Sequence, residues 1–364
     1  MRKVGLRKDL NNALKIYSDK MNLAITGGAG FLGYHLANRL SEKFDKIFIL
    51  DISPIDRSEY PKNTKFFNAD VRDFKTLDKI FKKTDFVIHT AAALPLWSKK
   101  DILETNIQGT KNVLEAARKN RVKRVVFISS TAVYGIPKKH PVFESDPLSG
   151  VGPYGESKIE AEKICKQYRE KGMCVPIVRP KTFIGTGRLG VFQILYDWIK
   201  NGKKIPIIGN GKNRYQLLEV DDLVDAIYLM LTLPEEKVND VFNIGAKKFK
   251  TIKEDLEELC KYAGTGSKTI SIPSFIAKPA LELFWLLKIS PLYKWVYGTM
   301  DKDSFVSIEK AERQLGWKPT CSNAEALIRS YKWYIDHLDE IKQSGVTHRV
   351  AWKQGILGFF KKFM

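Results

Sequence analysis

Short β-rich runs alternate with helical stretches, a glycine loop joins the first run to the first helix, and an acidic residue closes the second run. These observations predict an α/β protein built on a doubly wound parallel sheet. The runs fall at residues 23–26, 46–50, 64–68, 86–89, 124–129 and 175–179, and 241–244 adds a late strand after the helix that Asp221 and Asp222 begin. Strands spaced by helices cannot pair as hairpins, so each neighbour must be reached by a crossover, which makes the sheet parallel.

In order along the chain, Thr26 ends the first run and Gly27-Gly28-Ala29-Gly30-Phe31-Leu32-Gly33 follows. Glycines at 27, 30 and 33 let backbone amides and a helix N-terminus, opened by Phe31 and Leu32, face a pyrophosphate. The spacing is G-x-x-G-x-x-G. Asp51 closes the next strand, where a carboxylate accepts hydrogen bonds from both ribose hydroxyls and repels a 2′-phosphate, so NAD is expected over NADP.

Further on, Tyr154 and Lys158 stand four apart, which places an ammonium beside a phenol on one helix face and favours the phenolate. The spacing recurs at Tyr134/Lys138 and Tyr196/Lys200. Pro137 argues against a helix at the first, and the amphipathic run 191–199 makes Tyr196 a core residue.

With 364 residues the chain can bury a large core. Its formal net charge of +20 fits nucleic acid, anionic lipid or anionic small substrates, but lysine is scattered and no nucleic-acid-binding signature is present. Cys165, Cys174, Cys260 and Cys321 lack paired C-x-x-C spacing, and the five histidines do not cluster, so neither a disulfide framework nor a metal site is expected. Cysteine usage suggests the cytoplasm. Residues 1–20 are basic without a continuous apolar core, unlike a secretory signal; an extension and a misplaced start before Met21 both explain them. Residues 272–297 are apolar but interrupted by Lys278, Pro279, Glu282, Lys288 and Pro291, short of a spanning helix. The aromatic and lysine-rich end, 358–364, has the composition of an interfacial anchor; peripheral membrane contact, an ordinary amphipathic tail and a solvated end are the alternatives.

Together these residues resemble the extended short-chain dehydrogenase/reductase family, in its NAD-dependent epimerase/dehydratase branch. The carriers are the 26–33 loop, Asp51, Asp70-Val71, His89-Thr90-Ala91-Ala92, Asn106, the 129–135 segment, Tyr154-x-x-x-Lys158, Arg179-Pro180, Val220-Asp221-Asp222-Leu223, Asn243-Ile244-Gly245 and Leu315-Gly316-Trp317-Lys318-Pro319. The resemblance implies a Rossmann-type sheet, adenine contacts from Asp70 and Val71, and Ala91 and Ala92 along the cofactor channel. It also implies a Ser130, Tyr154, Lys158 catalytic set supported by Asn106, with Lys158 on the nicotinamide ribose. Dehydratases of the branch place an Asp-Glu pair directly after the catalytic Thr, and decarboxylases keep a glutamate there; Thr131 and Ala132 stand here instead. Elimination and decarboxylation thus lose their base.

What remains is reversible oxidation of a carbinol. The expected function is epimerisation of a nucleotide-linked or polyprenyl-diphosphate-linked hexose on tightly bound NAD. A 3β-hydroxysteroid-dehydrogenase-like oxidoreductase and a non-catalytic NAD-binding scaffold are the alternatives. The arginine with which relatives bind a nucleoside diphosphate is replaced by Tyr215; Arg214, one residue early, Arg188 and Lys212 are the candidate phosphate partners. The apolar stretch 272–297 resembles that of steroid-dehydrogenase-like and lipid-linked-sugar members. The expected organisation is an extension at 1–20, an NAD-binding domain at 21–180 with 220–245, a substrate lobe at 181–219 and 246–337, and a tail at 338–364, in a homodimer.

Overall fold

The structure, a computed structural model, describes residues 21–287, 294–341, 349 and 361. The extension 1–20, the segment 288–293 and most of the tail lie outside the described residues.

Seven parallel strands form the central sheet: β1 (Asn22–Thr26), β2 (Lys46–Asp51), β3 (Thr64–Asn68), β4 (Phe86–His89), β5 (Arg124–Ile128), β6 (Ile177–Pro180) and, after three strands outside it, β10 (Val241–Ile244). Their order is β10-β6-β5-β4-β1-β2-β3, so the direction of winding reverses between β1 and β4. Ligands of open α/β sheets bind beyond the strand ends at such a reversal. Strand alternation divides the core between two faces. Leu23, Ile25, Ile47, Ile49, Val126 and Phe242 pack on one. Ala24, Phe48, Leu50, Val87, Val125 and Phe127 pack on the other.

Outside this sheet two short parallel ladders form, β7 (Thr182–Ile184) with β9 (Leu217–Glu219) and β8 (Ile205–Ile208) with β11 (Thr269–Ile272). A third core fills the space around them, where Tyr196 of the helix Val191–Lys200 packs on Tyr331 and Tyr334 of the helix Asn323–Asp336. The segment Ser304–Ser307 threads between distant parts of the chain. Gln216 N donates to Ser304 O and Val142 N to Phe305 O, while Val306 N donates to Gln216 Oε1. Ser307 N returns to Val142 O.

Candidate active site

One cavity of about 670 Å3 opens along the carboxyl ends of β1, β2, β4, β5 and β6. Of the catalytic, cofactor-binding and phosphate-partner candidates named from the sequence, all but Asn106, Arg214 and Lys212 line it.

Its cofactor end starts at Gly27, whose N–H donates to Leu50 O at 2.7 Å and whose φ is +70°. A side chain there would be strained, and its Cβ would come within 2.7 Å of the Ala91 backbone. Gly33 lets the helix Phe31–Leu40 approach the loop: a Cβ would lie 2.5 Å from Gly27 O. No side chain caps this helix, so its first-turn N–H groups are available to a phosphate. Asp51 accepts from Ala29 N and from Ser53 N, each at 2.9 Å, one per oxygen, which leaves lone pairs for ribose hydroxyls. Burial raises its pKa. Asp70 is clamped by Arg72, which holds it below the usual carboxylate range although burial pushes the other way. These residues fit a dinucleotide: a cradle that any methyl group would fill, free amides for a diphosphate and a carboxylate for the ribose.

The reactive end is built by two elements. Ser130 follows β5 and caps the 3-10 turn Thr131–Tyr134, its Oγ accepting from Ala132 N at 3.1 Å. The helix Gly152–Glu170, opened by Pro153, carries Tyr154 into the same cavity, close enough for Ser130 to act on the phenol's pKa. Lys158 lies one turn on, buried, with Nζ 5.9 Å from the Tyr154 ring centroid and donating to Ile128 O at 2.9 Å. The expected phenolate is corrected by the structure: burial pushes the Tyr154 phenol up to about 12, against a smaller lowering by Ser130. Burial also brings Lys158 down to about 8. Both groups have lost water, and the ammonium spends a proton on a strand carbonyl, so proximity alone does not ionise the phenol. Of the two other copies of the spacing, Tyr134 sits in the 3-10 turn, its hydroxyl donating to Asn243 Oδ1 and accepting from Arg179, and Tyr196 is core.

Asn106 lies behind the cavity in a π-helical turn, Glu104–Gln108. Its Oδ1 accepts from Ala93 N at 2.8 Å, and its Nδ2 donates to Ser157 Oγ at 2.9 Å and to Ala93 O at 3.3 Å. It therefore ties the Ala91–Ala93 channel to the Tyr154 helix as a positioning residue, set behind the Ser130, Tyr154, Lys158 set rather than within it. Below Ser130, Glu162 accepts from Ser129 Oγ at 2.6 Å and from both sides of the Arg179 guanidinium.

The profile of the NAD dependent epimerase/dehydratase family matches residues 23–245. The chain belongs to that family. A Sinorhizobium fredii protein described as uncharacterized protein y4nG is 34% identical over 339 residues, 92% of this chain and 84% of its own length. The UDP-glucose 4-epimerase of Lactobacillus helveticus is 30% identical, the match covering 87% of this chain and 98% of that one. Among solved structures, the Thermotoga maritima UDP-glucose 4-epimerase with UDP-glucose aligns with a TM-score of 0.74 at 25% identity, over 87% of this chain and 100% of that one. NAD is the cofactor of this family enzyme.

Beyond the cofactor end, the epimerase/dehydratase cavity continues between Val191, Leu195, Trp198, Ile205, Leu256 and Met300. Arg188 reaches it through a cage of Phe31, Phe183 and Phe192, its guanidinium 5.1–5.9 Å from their centroids. Arg214 does not: it stacks on Phe305 at 4.2 Å and faces Asp303 at 3.8 Å, because the backbone alternation beside β9 aims Tyr215, not residue 214, at the cavity. Lys212, in the turn before it, is likewise outside the lining. Lys181, which sequence reasoning passed over, lines the cavity next to Tyr215. Its place directly after Arg179-Pro180 at a strand end was the available signal.

Proposed function

We propose that this enzyme epimerises a nucleotide-linked hexose at one hydroxyl-bearing carbon, with Tyr154 as acid/base, Ser130 as orienter and Lys158 as electrostatic partner. The observation that carries the reading is the convergence of Tyr154, Ser130 and Lys158 in the same cavity as the glycine loop, with Thr131 and Ala132 where elimination would need carboxylates. NAD, when bound, supplies the hydride acceptor and later the donor. A cation brought beside a desolvated phenol lowers its pKa, so Tyr154 gains basicity on cofactor loading. Tyr154 then takes the proton from the substrate hydroxyl, Ser130 donates to the oxygen, and Tyr154 returns the proton once the ketone has presented its other face. The largely apolar walls around Leu195 and Trp198 leave few fixed contacts to resist that turn. Residues 181–219 and 246–337 form the substrate lobe in this reading.

Incubation with NAD and a panel of UDP-, GDP- and lipid-linked sugars, followed by NMR of anomeric protons, tests it. Tyr154→Phe should lose about 10²–10⁴-fold in turnover yet bind NAD; near-normal activity would remove Tyr154 from the mechanism. NADH accumulating from a sterol or another apolar alcohol would favour the dehydrogenase instead.

A second reading, a polyprenyl-diphosphate-linked substrate met at a membrane surface, is favoured by the helix Ser274–Leu286. Phe275, Ile276, Leu283 and Leu286, with Leu287 just beyond, are all more than half exposed within about 120° of arc, Phe275 at 79%. Among the described residues no helix is long and apolar enough to cross a membrane, so contact would be peripheral. Co-sedimentation with anionic vesicles, lost in Phe275→Ser/Leu286→Ser, tests it. Light scattering tests the homodimer.

A further inference from the structure

Lys181 follows β6 and is 4% exposed, yet it lines the substrate end of the cavity. Its backbone is fixed by donation from its N–H to Ile244 O at 2.9 Å. Its Nζ donates to Ser304 Oγ at 2.7 Å and sits 4.8 Å from the Tyr215 ring centroid. Among the described residues no carboxylate forms an ion pair with it. The contrast with Arg179 is direct: that buried cation meets Glu162, whereas the contacts of Lys181 among the described residues are the neutral Ser304 hydroxyl and Tyr215 ring. Burying an unpaired ammonium is costly unless an anion arrives; burial lowers its pKa to about 7.

Two hydroxyls share the corner. Thr182 Oγ1 and Tyr215 Oη lie 3.1 Å apart, and both residues line the cavity. Their mutual bond uses one hydroxyl hydrogen and leaves the other free, so the ammonium and one hydroxyl donor match the two oxygens of a carboxylate. The corner is near the reacting carbon, because Thr131, next to Ser130, donates its Oγ1 hydrogen to Pro180 O at 3.3 Å, one residue before Lys181.

We infer that Lys181, Thr182 and Tyr215 form a recognition site for a carboxylate on the sugar ring, so that the enzyme selects nucleotide-linked hexuronates over neutral hexoses. This rests on the epimerase reading for turnover, but not for binding. A diphosphate offers the same anionic oxygens, and the experiment separates the two sources.

The test is calorimetric titration of the NAD-loaded full chain with UDP-glucuronate, UDP-glucose and UDP, in wild type and Lys181→Met, with Lys181→Arg as the charge-retaining variant. Wild type should bind UDP-glucuronate more tightly than UDP-glucose. The ratio of the two affinities should fall about 10–100-fold in Lys181→Met, the scale of a charge-assisted hydrogen bond, and recover in part in Lys181→Arg. Where turnover is measurable, the same ratio should appear in kcat/KM through KM. Equal weakening of UDP and UDP-glucuronate would assign Lys181 to the diphosphate and overturn the inference. So would a wild-type preference for UDP-glucose, whatever the variants do, or a loss confined to kcat on both sugars. Preferential UDP-glucuronate binding without epimerisation of any sugar would reject the epimerase reading and leave the carboxylate site standing.

Discussion

Replacing Arg179 by methionine isolates the buried ionic network beneath Ser130. The two side chains are 2% and 1% exposed, and the guanidinium meets the Glu162 carboxylate at 2.9 Å through Nε and at 2.6 Å through a terminal nitrogen. It also donates to Tyr134 Oη at 2.7 Å and to Glu144 O at 3.1 Å. Methionine replaces much of the stem and none of these donors, leaving buried Glu162 with Ser129 Oγ as its remaining hydrogen-bond partner among the described residues. An uncompensated buried charge costs about 3–5 kcal/mol, and that is the expected loss at neutral pH. Adding Glu162→Met should recover most of it, because an apolar replacement of the whole pair is close to neutral, within about 1–2 kcal/mol. Urea unfolding of the two single variants and the double variant, followed by tryptophan fluorescence, completes the cycle. A single-variant cost below about 1 kcal/mol would mean that water reaches Glu162 and refute the reasoning. A double variant no more stable than Arg179→Met would do the same.

Glu219 caps the helix Val220–Thr232, and burial, reinforced by Asp221, raises its pKa to about 7. The folded state therefore binds a proton that the unfolded chain releases, so the stability it contributes is present near the ordinary carboxylate pKa and is lost as pH rises through 7. Glu219→Gln should melt higher than wild type at pH 8 and converge with it by pH 5; a constant offset would contradict this. Gly33→Ala places a methyl 2.5 Å from Gly27 O, a backbone overlap worth about 1–3 kcal/mol, and should weaken NAD binding, read by fluorescence titration, at least about tenfold if the loop shifts by as much as the contact demands. Asp51→Ala should narrow the preference for NAD over NADP; an unchanged ratio would place the ribose elsewhere.

The sheet was legible because most of its strands are buried apolar runs, and three of the seven, β3, β4 and β10, have the bounds the sequence predicts. β6 starts two residues late, at Ile177, because Pro176 has no N–H to donate. The ladders β7/β9 and β8/β11 were not legible. Each strand has three or four residues, too few for a period, and Leu217–Glu219 runs straight into a helix. The glycine loop, Asp51, Ser130 and Tyr154 converge as expected because they close successive strands or open helices, and strand ends share one edge. The Glu162–Arg179 pair was missed for the opposite reason: its meaning lies in what each side chain faces, and no spacing along the chain encodes it, whereas Lys181 had its strand-end place after Arg179-Pro180 as a signal. Arg214 failed by one residue, which in an extended segment is half a turn of the backbone.

The threading of Ser304–Ser307 sets a condition on biosynthesis. Val142, Gln216 and Lys181 all wait for partners that leave the ribosome at least 88 residues after the last of them, at Ser304. The strand layer can assemble earlier, but the cavity lining is completed only by Asn323 and Leu327, which follow this segment. A nascent chain halted before Ser304 would thus hold a cofactor cradle without a finished substrate chamber, which makes completion of the polypeptide itself the gate to chemistry.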